Sequence, residues 1–138
     1  MEQTRQPGQM KRQESFERFF AEFVTGGKGQ CREADNSGTC VYRDSKGNGC
    51  AIGIQPEFMA IYRPNFEAAG IDTLYQEYES IRGIIHKDDL AFFAGLQELH
   101  DGELQHGMKR LMLAIKEFAA DYNVLIPDHT SVETKEGA

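Results

Sequence analysis

The sequence predicts a helix-rich α+β fold with one small antiparallel β-hairpin. Two observations predict it: apolar residues recur at helical spacing in several segments, and two short β-prone runs flank a glycine-containing turn. A length of 138 residues is typical of one domain and allows a sizeable core without a disulfide or a metal. Because no internal repeat or domain-scale linker interrupts the chain, residues 1–138 are predicted to form a single domain, with flexible tails at residues 1–8 and 128–138.

The first predicted element is an amphipathic helix that packs through phenylalanines. One helical face carries residues at the i, i+3, i+4, i+7 and i+8 positions: Phe16, Phe19, Phe20, Phe23 and Val24. Gly26 and Gly27 follow, and glycine is the residue that most readily adopts the left-handed conformation at a helix end. The polar, glycine-rich run that continues to Gly38 is predicted to be a loop long enough to carry a function.

The predicted hairpin consists of two β-prone runs, residues 39–43 and 50–54. A three-residue loop with Gly47 in a left-handed conformation would pair Tyr42 with Cys50. This register predicts one buried face, which consists of Cys40, Tyr42, Cys50, Ile52 and Ile54.

The second half of the chain is predicted to be mainly helical. Each predicted helix start carries a residue typical of a first turn or a cap: Pro56, Pro64, Thr73, and Asp88 or Asp89. The last helix has the clearest periodicity, with apolar residues at helical spacing from Met108 to Tyr122. Residues 124–126, which precede a proline, could form a short third strand beside the hairpin.

The charge and hydropathy patterns argue against several classes of function. A formal net charge of −7 and a pI near 5.1 argue against direct nucleic-acid binding, because such binding depends on Lys and Arg that neutralise phosphates. Acidic mimicry of DNA remains an alternative. No apolar stretch approaches the roughly 20 residues that span a bilayer, and the N-terminal residues lack the apolar core of a signal peptide. These features predict a cytoplasmic protein that does not enter a membrane.

Cysteine and histidine residues are the candidates for catalysis. The chain has three cysteines, Cys31, Cys40 and Cys50, without a Cys-x-x-Cys pair, which favours reduced thiols; we predict no metal and no cofactor. Cys50 or Cys40 together with His100 nevertheless provides the residue types that the active site of a small cysteine hydrolase or a metal-dependent enzyme needs. Asp101 follows His100 directly, and neighbours on an α-helix point about 100° apart, which makes Asp101 an awkward orienting partner.

A local group of basic residues is the candidate for binding. The hairpin register brings arginine and lysine side chains near one end of the hairpin, where they could anchor a carboxylate or a phosphate; ordinary solvation of a turn is the alternative. The small Ala51 and Gly53 would let another element, or a ligand, approach that side closely. The predicted binding residues are Arg43, Lys46, Asn48 and Arg63, with Arg32 nearby in the sequence.

Three short motifs resemble those of small uncharacterised proteins encoded by tailed bacteriophages and prophages. Residues 40–43 match a Cys-x-Tyr-Arg strand, residues 50–53 a Cys-Ala-Val/Ile-Gly strand, and residues 96–101 a Leu-Gln-x-x-His-Asp helix. The chain departs from the family pattern at residues 54–58, where Ile-Gln-Pro-Glu-Phe replaces an Ile-Pro-Asp-like step. The resemblance implies a phage accessory protein in the cytoplasm of a bacterial host. Our leading hypothesis is therefore a non-enzymatic protein that binds and modulates a host protein or complex, such as a defence or nucleic-acid-processing complex.

Overall fold

The computed structural model of the chain describes residues 8–28, 41–44 and 46–127. Within these ranges the regular secondary structure is helical, and the only β-type pairing is one isolated antiparallel bridge between Arg43 and Gly49. The predicted α+β class is therefore wrong. The predicted tails, apart from Gly8, lie outside the described residues.

Six α-helices run through the described residues: α1 (Arg12–Phe20), α2 (Pro56–Ile61), α3 (Ile71–Glu77), α4 (Glu79–Ile84), α5 (Leu90–Glu98) and α6 (Met108–Tyr122). π-Helical turns continue two of them, α1 through Ala21–Thr25 and α5 through Leu99–Glu103. Short 3₁₀ segments lie at Pro64–Ala68, Lys87–Asp89 and Leu104–His106. In the described ranges no helix combines the length and the apolar character that crossing a bilayer requires.

The phenylalanine face of α1 is confirmed as the centre of the core. Phe16, Phe19, Phe20 and Phe23 are each at most 1% exposed. The ring of Phe16 stacks on Phe118 of α6 with a centroid separation of 5.9 Å. Burial of each such ring contributes about 1.5–3 kcal/mol, so this face supplies much of the free energy that docks α1 on the rest of the domain.

The predicted hairpin is correct at its turn and in the register beside the turn. Gly47 has φ +90°, the left-handed conformation that the sequence predicts. The bridge between Arg43 and Gly49 has the predicted register, since it places Tyr42 opposite Cys50, and the N–H of Cys50 donates to the carbonyl of Tyr42 at 3.0 Å. No strand extends from this bridge in the ranges that the structure describes. Among residues 41–44 and 46–54, the turn and its register therefore form without the regular strands that were predicted, and residues 39–40 lie outside the described ranges.

The second predicted strand is a helical turn instead. The N–H of Ile54 donates to the carbonyl of Cys50 at 3.0 Å, so the chain coils after Cys50 toward the start of α2. Cys50, Ala51 and Ile52 are all fully buried. A strand of a two-stranded ribbon alternates between its two faces and could not bury three consecutive side chains unless both faces were covered. Tyr42, Cys50 and Ile52 of the predicted buried face are therefore buried as expected, but the burial of Ala51 shows that burial is not confined to that face. Ile54 is half-buried, and Cys40 lies outside the described residues.

The predicted third strand is also absent: residues 124–126 are irregular. The side-chain amide of Gln13 on α1 donates to the carbonyl of Leu125 at 2.8 Å and accepts from its N–H at 2.8 Å. One side chain thus supplies the two hydrogen bonds that a neighbouring strand would have made with this backbone.

A polar contact joins α1 to α5 and α6. Asp89 precedes α5, as predicted for a cap, but its fully buried carboxylate accepts from Nε of Arg12 at 2.6 Å. The Arg12 guanidinium also lies 5.5 Å from the ring centroid of Phe92 and 5.7 Å from that of Tyr122. The helix start predicted at Thr73 is wrong, since α3 begins at Ile71 and Gly70 occupies its N-cap position.

We expect Arg12→Ala to lower the free energy of unfolding by about 3–5 kcal/mol, because it removes the cation beside a fully buried carboxylate. Urea denaturation at neutral pH would measure the change. Lys11→Ala is the matched control: the Lys11–Glu14 pair is 4.0 Å apart with both side chains about half exposed, and its loss should cost no more than about 0.5 kcal/mol. Similar losses in the two variants would contradict this role for Arg12.

Candidate functional site

A cleft of about 350 Å³ opens between the C-terminal end of α1, the turn at residues 46–49 and the start of α2. Its cationic lining residues are Arg18, Lys28 and Arg43, and its apolar ones are Ala21, Ile54 and Met59. Glu22 and the turn residues 47–49 complete the lining. The cleft therefore combines positive charge with a small apolar wall on a protein that is acidic overall.

Arg43 is the cation that the local backbone holds most directly. Its half-buried guanidinium donates from one terminal nitrogen to the carbonyl of Gly53 and from the other to the carbonyl of Gly47, both at 2.7 Å. A guanidinium has five N–H donors, so three remain after these two bonds. Among the described residues no carboxylate lies within 4.0 Å of the Arg43 guanidinium. Its positive charge is thus oriented by neutral groups.

The other two cations of the cleft have carboxylate partners. Lys28 lies 3.2 Å from the carboxylate of Glu22. Arg18 lies 3.7 Å from Glu14 and 3.8 Å from Glu57. These pairs leave Arg43 as the cation in this cleft that lacks a carboxylate neighbour among the described residues.

Glu67 holds the segment that carries Arg43. Its carboxylate oxygens accept from the backbone N–H groups of Tyr42 at 2.8 Å and of Arg43 at 3.0 Å, and one of them also accepts from the Tyr62 hydroxyl. The Tyr42 hydroxyl donates to the carbonyl of Ala69 at 2.9 Å. These bonds tie residues 42 and 43 to the 3₁₀ segment Pro64–Ala68 where a neighbouring strand would otherwise be needed.

Of the four predicted binding residues, the structure places two in the cleft and two outside it. Arg43 and Asn48 line the cleft. Lys46 is exposed on the same turn but outside the lining, and Arg63 is exposed just before the segment Pro64–Ala68, also outside it. Arg32 lies outside the described residues.

The close approach predicted at Gly53 is made by another segment of the chain and not by a ligand. Gly53 is buried, and a Cβ built on it would lie 1.8 Å from the carbonyl oxygen of Tyr42. The absence of a side chain therefore accommodates the chain's own backbone rather than a ligand.

The sequence did not single out Arg18 or Met59 as members of a site. Arg18 lies four residues after Glu14 on the polar face of α1, a pattern typical of a solvated helix surface. Met59 is 43% exposed on α2. Only the packing of α1 against residues 46–59 brings these side chains together, and no local motif encodes that approach.

Cys50 lies in the core. Its side chain is fully buried, and the N–H of Gly53 donates to its sulfur at 3.4 Å. Burial raises the pKa of the thiol to about 12. Because the thiolate is the nucleophilic form, Cys50 is not activated for nucleophilic attack near neutral pH.

His100 and Asp101 do pair, contrary to the prediction. Nδ1 of His100 lies 2.7 Å from Oδ1 of Asp101, and the buried ring packs edge-on against Phe23 at 5.0 Å. Both residues belong to the π-helical turn Leu99–Glu103, whose wider winding changes the angle between neighbouring side chains from the α-helical value. Gln97 extends the network, since it donates to Asp101 at 3.0 Å and accepts from the N–H of Ile52 at 3.3 Å.

The described residues contain no group of three or more His, Cys, Asp or Glu side chains that could hold a metal ion. Comparison of the chain with known protein families, with curated proteins and with solved structures found no match.

We expect the folded protein to lose stability as the pH rises above 9, because burial raises the pKa of Cys50 from 9.0 to about 12 and also raises that of Tyr42. Above pH 9 the unfolded chain releases the thiol proton while the folded chain retains it. The Cys50 contribution is fully present below pH 9 and falls by about 1.4 kcal/mol per pH unit until the folded thiol titrates.

Urea denaturation at several pH values above and below 9 would test this for the wild type and Cys50→Ala. The variant should lose stability less steeply with rising pH, whatever its stability at neutral pH. Equal slopes for the two proteins would contradict a buried, protonated Cys50.

We expect Glu67→Gln to destabilise the protein by about 1–3 kcal/mol, because an amide side chain offers only one oxygen to the donors that the carboxylate now satisfies. Amide hydrogen exchange should accelerate at Tyr42 and Arg43 more than in α6. Glu79→Gln, at an exposed position at the start of α4, is the control and should leave both measurements unchanged. Unaltered exchange at residues 42 and 43 in Glu67→Gln would show that the carboxylate does not hold this segment.

Proposed function

We propose that the chain is a non-catalytic binding protein that contacts an anionic group of a host macromolecule through the cleft at Arg43. The observation that carries the proposal is the state of the Arg43 guanidinium. Two backbone carbonyls orient it, three of its donors remain, and no carboxylate among the described residues neutralises it.

Preorganisation favours this use of Arg43. An arginine that is already held in one geometry loses less conformational entropy when it binds than a mobile surface arginine would. Its half-buried charge also has incomplete access to water, and an incoming anion would replace lost hydration with a charge-assisted hydrogen bond. Surrounding glycines at positions 47 and 49 leave the approach free of bulky side chains.

The resemblance to phage and prophage proteins supports an accessory role in the cytoplasm of a bacterial host. In that role the chain would bind and modulate a host protein or complex, such as one in defence or nucleic-acid processing. The environment of Cys50 and His100 disfavours the alternative of a hydrolase that uses these two residues, because both side chains are fully buried and the Cys50 pKa is raised.

Affinity capture from bacterial lysate, compared across matched variants, tests the proposal. A partner recovered with the wild type should be lost with Arg43→Gln, which removes the charge. Arg63→Gln is the matched control, since it removes an exposed arginine outside the cleft, and it should recover the partner as the wild type does.

A second variant guards against a local loss of structure in Arg43→Gln. Met59→Glu places a negative charge on the apolar wall of the cleft and leaves both backbone contacts of Arg43 in place. It should also lose the partner. Equal recovery of the partner with both cleft variants and with the wild type would contradict the proposal, and so would the absence of any specific partner in repeated captures.

A further inference from the structure

On the basis of the proposed function, we infer that the cleft binds a single carboxylate side chain, an aspartate or glutamate next to an apolar residue, on an exposed segment of a partner protein. The inference deepens the proposed function and rests on two properties of the cleft. One of its cations lacks a carboxylate neighbour among the described residues, and its wall is apolar.

One cation of the cleft lacks a carboxylate neighbour among the described residues, which suits a ligand group with one negative charge. Lys28 is paired with Glu22, and Arg18 lies within 4 Å of two carboxylates, so Arg43 is left as the cation without a carboxylate partner among the described residues. A carboxylate brings one negative charge, whereas a phosphate group on a side chain carries about −1.5 to −2 at pH 7. The second negative charge of a phosphate would be repelled by Glu22 in the same cleft and would find no further cation that lacks a carboxylate neighbour among the described residues.

The surrounding charges disfavour a nucleic acid. Binding of a polyanion requires several Lys or Arg residues that each neutralise a phosphate. Here the carboxylates of Glu14, Glu22 and Glu57 stand beside the neighbouring cations, and the chain as a whole carries a formal charge of −7. A single acidic side chain could bind at Arg43 without placing further negative charges beside these carboxylates.

The apolar wall favours a peptide over a small inorganic anion. Ile54 is half-buried and Met59 is 43% exposed, and both line the cleft together with Ala21. A small anion held at Arg43 would leave these side chains in water. An apolar residue next to the acidic one would cover them, and the flexible methionine side chain can adapt to its shape.

The test is an NMR titration of the ¹⁵N-labelled full chain with a capped peptide, Ala-Leu-Glu-Leu-Ala, and its neutral analogue Ala-Leu-Gln-Leu-Ala. The glutamate peptide should shift the Arg43 Nε–H and the amides of Gly47 and Gly49 in a saturable manner. The glutamine peptide should bind at least about tenfold more weakly, because it lacks the charge-assisted hydrogen bond. Met59→Glu should weaken binding of the glutamate peptide to a similar degree, while Arg63→Gln should not.

Inorganic phosphate and a short single-stranded oligonucleotide serve as competing probes. Equal binding of the two peptides would overturn the inference. Stronger binding of phosphate or oligonucleotide at the same residues would overturn it as well, but would leave the proposed anion-binding function standing. If no probe shifts these signals while partner capture still depends on Arg43, the inference fails alone; if capture is also independent of Arg43, the proposed function fails with it.

Discussion

The carboxylate of Glu67 holds together the part of the molecule that carries the candidate site. It accepts from two successive backbone N–H groups, those of Tyr42 and Arg43, and from the Tyr62 hydroxyl. An extended segment buried beside helices would otherwise leave those donors unpaired, at a cost of about 1–3 kcal/mol for each. With the backbone fixed in this way, the Arg43 side chain reaches the carbonyls of Gly47 and Gly53, and the cleft acquires an oriented cation.

Two arginines in this protein illustrate opposite uses of the same side chain. Arg12 faces the fully buried carboxylate of Asp89 and the rings of Phe92 and Tyr122, so its charge is neutralised inside the domain and contributes to packing. The Arg43 guanidinium is held by the carbonyl oxygens of Gly47 and Gly53, which orient it without cancelling its charge. An arginine of the second kind retains electrostatic attraction for a ligand, and this difference underlies the proposed binding function.

Local sequence signals correctly predicted those elements that depend on interactions between residues close together in the sequence. The phenylalanine spacing identified α1, the apolar periodicity identified α6, and Gly47 adopts its predicted left-handed conformation. The β-propensity of residues 50–54 led to a wrong prediction of a strand. The segment that begins at Cys50 forms a helical turn, and its first three side chains are fully buried. β-Propensity reports a fit to a pleated, half-covered surface, and this segment has no such surface.

The sequence by itself determined the helical core, the position of the tight turn and the identity of Arg43 as a candidate binding residue, since each follows from periodicity, backbone preference or charge over a few residues. Only the tertiary structure decided which side chains surround Arg43. Lys28, Met59 and Glu67 approach it from separate segments, and their approach depends on how α1 and the segments after the turn pack together. The same packing placed Cys50 in the core and closed the space at Gly53, because burial is a property of the assembled domain and not of a motif.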